Sequence, residues 1–270
     1  MNSFINKLRG KKEPEDKDHE VYFPDFESAR KLISDASYED PELCKMIAAK
    51  TRIYQEKLNT SPYDLNAPQS FLLSVIQKIL LEKKESALNI VDLGGACGAH
   101  YFEIKRLIPA RIKLNWFIIE TEEMVRAAHE IEKANEGLYF RSDLKQLDIK
   151  PHLIHSSSTL QYIGKPYSMI EQLKSMETEY LFFNRMMFNL SETDLITIQQ
   201  SQMADNGPGP MPAGFQNKLI RYPHTNLSYK RFMNAFLPQY QAEWIFDEPS
   251  GNISKGKLDI VGKGMMFMKV

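Results

Sequence analysis

The stretch Ile90–Gly98, IVDLGGACG, constrains this chain more than any other. An apolar run ends in glycines at 94, 95 and 98, and helical sequence follows over His100–Ile108. A strand, a glycine turn and a helix in that order form a βα unit. At Gly94 and Gly98 no side chain keeps the backbone from turning tightly and approaching a ligand. A dinucleotide fingerprint requires G-x-G-x-x-G. Counted from Gly94, this chain places Ala96 and Ala99 at the later glycine positions, and the spacing found is D-x-G-x-x-x-G from Asp92. The turn reads as a loop holding an adenosine-containing cofactor. The competing reading is an ordinary βα turn whose glycines serve only φ.

The downstream pattern supports the ligand reading. Leu114–Ile119 is a second apolar strand ending in Glu120, and Leu138–Arg141 is a third, followed by Asp143. A carboxylate after the second strand can accept both hydroxyls of a ribose. Asp143 could meet an adenine amino group, or could cap Leu144–Leu147. His152–His155 is the fourth strand, followed by Ser156–Thr159, and Tyr180–Phe183 is the fifth. Helices are expected from Thr121 to about Asn135 and from Pro166 to about Met176. This alternation predicts a largely parallel α/β sheet. Leu190–Gln200 fits either a capped helix or a strand and is assigned as a strand. Ala204–Gly214, with three glycines and three prolines, is loop. Leu219–Tyr222 is a short strand and Ser228–Leu237 a helix. Gln241–Phe246 and Lys263–Val270 pair as a terminal hairpin.

Three regions result. Residues 1–20 carry five basic and five acidic side chains and form a charge-balanced tail. Residues 21–87 are a helical extension. Asp40 caps a helix that opens at Pro41, and a second helix from Pro68 carries a stripe of Phe71, Leu72, Val75, Ile76, Ile79 and Leu80. Residues 88–270 form the main domain. The net charge of -1 supplies no global basic field, so nucleic acid is not the expected partner. Cys44 and Cys97 are the only cysteines, too few for a disulfide framework or a four-cysteine metal site. No close histidine pair or H-E-x-x-H occurs, and no metal is expected. With neither a signal peptide nor an apolar run of about 20 residues, the expected location is cytoplasmic.

The order strand, D-L-G-G-A-C-G, helix, strand ending in Glu resembles the class I S-adenosylmethionine-dependent methyltransferases. The resemblance covers about residues 88–270. It implies a Rossmann-like seven-stranded, mainly parallel sheet with antiparallel last strands, and S-adenosyl-L-methionine as cofactor. It places the cofactor on Asp92, Gly94, Gly95, Gly98, Glu120 and Asp143, with Ser156 and Ser157 after the fourth strand on its other side. A narrower resemblance rests on the helical extension, DLGG-CG-HY at 92–101, Ser157–Ile163 and ITIQ at 196–199. It points to an uncharacterised bacterial methyltransferase-like family and to a small-molecule or saccharide-containing acceptor.

The base for such a reaction is not set by any motif. His100 and Tyr101 follow the glycine loop, His155 ends the fourth strand, Tyr162 follows it, and His224 lies in the late polar segment. His155 is the preferred base, with Tyr162 and His224 as further catalytic candidates. The strand-four segment HSSSTLQY lacks the acidic or amide residue, two prolines and aromatic of amino-methylating enzymes. Residues 187–226 could cover the acceptor pocket, with Met203, Met211, Phe215, Arg221, Tyr222 and His224 as its wall. Two other functions fit less of the sequence: a non-catalytic cofactor-binding scaffold, and an NAD-dependent oxidoreductase, which the absent fingerprint glycines disfavour.

Overall fold

The computed structural model describes residues 22–33, 38–62, 65–84, 86–248, 253–255 and 258–270. The charge-balanced tail and part of the loop before the last strand lie outside these residues.

The helical extension forms α1 (Phe26–Arg30), α2 (Pro41–Thr60) and α3 (Ala67–Lys83). Asp40 caps α2 by accepting from the Glu42 and Leu43 amides. Asn66 and Gln69 form a reciprocal capping box at α3, which starts one residue earlier than Pro68 alone suggests. The main domain follows as β1 (Ala87–Leu93), α4 (Ala99–Leu107), β2 (Lys113–Ile119), α5 (Glu122–Ala134), β3 (Leu138–Arg141), β4 (Leu153–Ser157), α6 (Pro166–Ser175) and β5 (Tyr180–Asn189). After these come β6 (Leu195–Gln202), β7 (Leu219–Ser228), α7 (Tyr229–Phe236), β8 (Tyr240–Asp247), β9 (Ile253–Lys255) and β10 (Leu258–Lys269).

The main sheet runs β3-β2-β1-β4-β5-β10-β8. The first five strands are parallel, and β10 is antiparallel to both β5 and β8. The seven-stranded Rossmann-like sheet is therefore present. β8 and β10 pair antiparallel as the expected terminal hairpin, with β10 between β5 and β8 and β8 at the edge. The order reverses beside β1, so the crevice at the carboxyl ends of β1 and β4 is the switch point where ligands bind in such sheets.

Both sheet faces are covered. Leu88, Ile90, Trp116, Phe140, Leu153 and Phe182 face one apolar cluster, which α2–α5 complete. Val91, Leu93, Ile154, Leu181, Phe183 and Phe267 face the other, against α6 and α7. Period-two alternation thus sends successive residues of the same strand into different cores. The extension is part of the first core: Leu43, Ile47, Leu72, Val75 and Ile76 are buried there.

The late segment departs most from expectation. The strand expected over 190–200 is β6, shifted to Leu195–Gln202, and the short strand expected at 219–222 extends to Ser228 as β7; the two pair antiparallel from Leu195↔Asn226 to Gln202↔Leu219. β7 then joins β5 in parallel at Phe188↔Leu227. The β6–β7 connection holds the Pro/Gly loop and lies against α2. There Lys50, 1% exposed, donates from Nζ to the Ala204 and Asn206 carbonyls at 2.9 and 2.6 Å.

Candidate functional site

At the switch point a cavity of about 310 Å³ is lined by Gly94 and Ala96 of the glycine turn, by Glu120, Thr121 and Met124, and by Ser157, Ser158 and Thr159 after β4. Tyr38, Ile47, Asn206 and Gly207 close one side, and Tyr162, Ile163 and Arg185 another. The site therefore draws on the extension, on the parallel strand ends and on the β6–β7 connection. A larger cavity, about 660 Å³, lies around Asn89, His152 and Glu179 at the opposite edge of the sheet, away from the glycine turn.

Glu120 accepts the Ala96 amide at Oε1 and the Thr121 amide at Oε2, both at 3.0 Å. Each oxygen accepts one of these bonds and has lone-pair capacity left. Burial raises the Glu120 pKa above its ordinary 4.5, and the two amides act in the opposite direction. Ala96 holds a left-handed φ of 48°, which aims its amide at Glu120. The carboxylate thus ties the end of β2 to the turn after β1.

The glycines have distinct causes. A side chain at Gly94 would meet Thr159 Oγ1 at 2.2 Å, so the close approach it permits is to the loop after β4. A side chain at Gly95 would meet Asp92 Oδ2 at 2.5 Å. Gly98, at φ 92°, enters α4 in a left-handed conformation. Of the three, only Gly94 lines the cavity.

Asp92 lies beneath the turn instead of in the cavity, on the same strand face as Leu88 and Ile90. It is fully buried. Its Oδ2 accepts from Trp116 Nε1 at 3.1 Å and faces His100 Nδ1 at 3.2 Å, while Oδ1 faces His155 Nδ1 at 2.9 Å. Burial opposes ionisation of Asp92. His155 and His100 outweigh it and hold the carboxyl well below the usual range. Burial likewise opposes charge on His100, but Asp92 prevails and raises its pKa above 6.5.

The remaining candidates separate. His155 is fully buried, with Nε2 3.3 Å from Asn184 Oδ1, so both ring nitrogens are engaged and neither reaches the cavity. That geometry corrects the expectation of a base facing the acceptor. The cause is the period-two register, which turns His155 onto the Asp92 face. His100 keeps a side chain 23% exposed, and its Nε2 has no hydrogen bond among the described residues. His224 is buried, Nδ1 has no partner, and burial pushes its pKa down to about 3. It stays neutral at pH 7 and is a poor proton acceptor. Tyr162 lines the cavity, donates to Gln199 Oε1 at 3.3 Å and is pushed up to about 12 by burial, so it remains a phenol. Ser156 turns inward to the Leu93 carbonyl at 3.2 Å. Ser157 lines the cavity, and its Oγ is buried without a hydrogen-bond partner among the described residues. Asp143 is exposed and accepts the Lys145 amide at 2.9 Å, which is the capping alternative.

Among the expected wall residues, Met203 is core, while Tyr222 packs against Tyr38 and Tyr162 beside the cavity. The β6–β7 connection contributes Asn206 and Gly207 to the cavity instead. Tyr38, Ile47 and Arg185 are lining residues that no local motif announced.

The described residues contain no helix long and apolar enough to cross a membrane. No family model matches the chain, and no curated protein matches its sequence. Among solved structures, a S-adenosylmethionine-dependent methyltransferase from Clostridium acetobutylicum shares 14% identity at a TM-score of 0.45, covering 80% of this chain and 96% of its own. Magnesium protoporphyrin IX methyltransferase from Synechocystis, with S-adenosylmethionine bound, shares 13% at 0.44, covering 88% and 100%. An amino pentose methyltransferase from Micromonospora echinaspora shares 10% at 0.45, covering 76% and 98%. These are remote likenesses.

Proposed function

We propose that this chain binds S-adenosyl-L-methionine at the switch-point cavity and transfers its methyl group to a small-molecule or saccharide-containing acceptor. The observation that carries this reading is Glu120. It is a carboxylate at the end of β2, fixed by the Ala96 and Thr121 amides and facing the same cavity as Gly94. Two carboxylate oxygens with spare lone pairs suit the paired hydroxyls of a ribose. Ser157 Oγ, buried without a partner, is a second polar group that a ligand would satisfy. When bound, the cofactor supplies a methyl group on a sulfonium, open to in-line attack.

The chain's own contribution is placement and proton handling. Asp92 supports the turn from below, through Trp116 and two imidazoles, and His155 acts as a positioning residue between Asp92 and Asn184. Tyr162 donates its hydroxyl proton to Gln199 Oε1 at the cavity wall. Methylation of a hydroxyl or amine releases a proton; His100, beside Asp92 at the start of α4, keeps an open ring nitrogen among the described residues but is not among the residues lining the cavity. Positioning carries much of the catalysis in such a displacement.

Calorimetric titration with S-adenosylhomocysteine and, separately, NAD tests the reading. S-adenosylhomocysteine should bind, and Glu120→Ala should weaken it about ten-fold or more through lost charge-assisted hydrogen bonds. Binding of NAD alone, or unchanged affinity in a folded Glu120→Ala protein, would sink the assignment.

A further inference from the structure

Arg185 stands where two irregularities coincide. Phe183 pairs with Met265 and Met186 with Lys263, so β5 advances three residues while β10 advances two. The additional residue on β5 is a bulge, and Arg185 within it has a left-handed φ of 55°. The bulge changes the strand's parity: Leu181 and Phe183 enter the second core before it, Met186 and Phe188 after it. Arg185 is thereby turned out of the alternation, at the point where β4 has ended and β5 continues. A non-glycine residue rarely adopts this conformation in an ordinary strand. Here it is held by Glu248, a 5% exposed carboxylate whose Oε1 accepts the Arg185 amide at 2.6 Å.

The strained residue presents an exposed side chain to the switch-point cavity. Its guanidinium forms no hydrogen bond or ion pair with a side chain among the described residues, and Glu248 uses its Oε1 on the backbone. The charge of Arg185 acts on Tyr162, which lines the same cavity. Ser157, two residues past His155 on β4, lines the same cavity with its unpartnered hydroxyl. Glu120, the acid of this cavity, is tied to the amides on its far side.

We propose that Arg185 and Ser157 form an anion-binding subsite in the cavity, which selects acceptors bearing a phosphate or carboxylate group. A guanidinium fork offers two parallel donors to such an oxyanion, and the serine hydroxyl adds a third. The bulge and the buried Glu248 fix the backbone from which the fork extends. The assignment of this anion to the acceptor rests on the cofactor reading above. The other source of the same chemistry is the carboxylate of the cofactor's own methionine portion.

The full chain, saturated with S-adenosylhomocysteine, is titrated with inorganic phosphate by calorimetry. Arg185→Asn, whose side chain tolerates a left-handed backbone, and Arg185→Gly are compared with the parent. Phosphate affinity should fall about ten-fold or more in both variants, with S-adenosylhomocysteine affinity unchanged and thermal midpoints no lower than the parent's. Ser157→Ala should weaken phosphate by a smaller factor. Equal phosphate binding by parent and variants would overturn the subsite, as would a large drop in thermal midpoint, which marks a structural arginine. Loss of S-adenosylhomocysteine affinity with 5′-methylthioadenosine affinity intact would assign Arg185 to the cofactor's carboxylate and overturn the acceptor role. Should the parent bind no S-adenosylhomocysteine, the cofactor reading fails by itself. The phosphate titration without it still decides whether Arg185 holds an anion.

Discussion

At Gly95 a methyl group would stand 2.5 Å from Asp92 Oδ2, inside the hydrogen-bonded cluster with Trp116, His100 and His155. Gly95→Ala is expected to lower stability by about 1–3 kcal/mol, read as the urea midpoint at constant slope; an unmoved midpoint would refute the crowding. The cluster also makes stability depend on pH. The pKa of His100 is raised in the folded protein, so its pairing with Asp92 contributes fully below 6.5 and is lost as pH rises through the raised value. The stability difference between parent and His100→Gln should therefore shrink across that window. A difference independent of pH would show that the pairing contributes nothing. At Glu120 the sign reverses for binding. Ribose hydroxyls donate to the ionised carboxylate, and its pKa lies above 4.5. Affinity for S-adenosylhomocysteine should be flat at higher pH and fall up to about ten-fold per pH unit once the carboxyl protonates. Glu120→Gln should abolish that slope.

The elements of the parallel half follow from their sequence because local chemistry and tertiary packing agree there. β3 and the cap at Asp40 stand where the residues place them, and β1, β2 and α5 differ from expectation by about a residue at their ends. The extension of β5 beyond Phe183 is different. Its residues, Asn184 to Asn189, show no period-two alternation, so the parity change at Arg185 cannot be read from the pattern. The part of β7 beyond Tyr222 is hidden for another reason: His224, Thr225 and Asn226 look like polar loop until β6 pairs beside them. Asn226 Nδ2 then donates to the Leu195 carbonyl at 3.1 Å. The loop between these strands is fastened to α2 by Lys50. Lys50→Met keeps the bulk and leaves the Ala204 and Asn206 carbonyls without their donor. It should cost about 1–3 kcal/mol and speed amide exchange across residues 203–206. Unchanged exchange there would show that the loop holds without α2.

Across the whole molecule, the cavity joins segments far apart in the chain: Tyr38 and Ile47, the turn at 94–96, the loop at 157–159, Arg185 and Asn206. A ligand bridging them should stabilise all of these together. S-adenosylhomocysteine at about 100 times its Kd is expected to add about 2.7 kcal/mol and to raise the thermal midpoint with concentration. A midpoint independent of ligand would argue against occupancy of this cavity. The sequence by itself determined the βα order, the glycine turn and the place of Glu120, because each depends on short-range patterns: apolar runs, φ freedom and a strand's final residue. Tertiary structure decided how those residues are used. It turned Asp92 and His155 beneath the loop, because period two in a parallel register places them on one sheet face under α4. It set Gly94 against Thr159, closed His224 away from solvent and brought Arg185 to the cavity through a bulge. Those outcomes depend on which strands lie side by side, and the glycine turn carries no record of its neighbours.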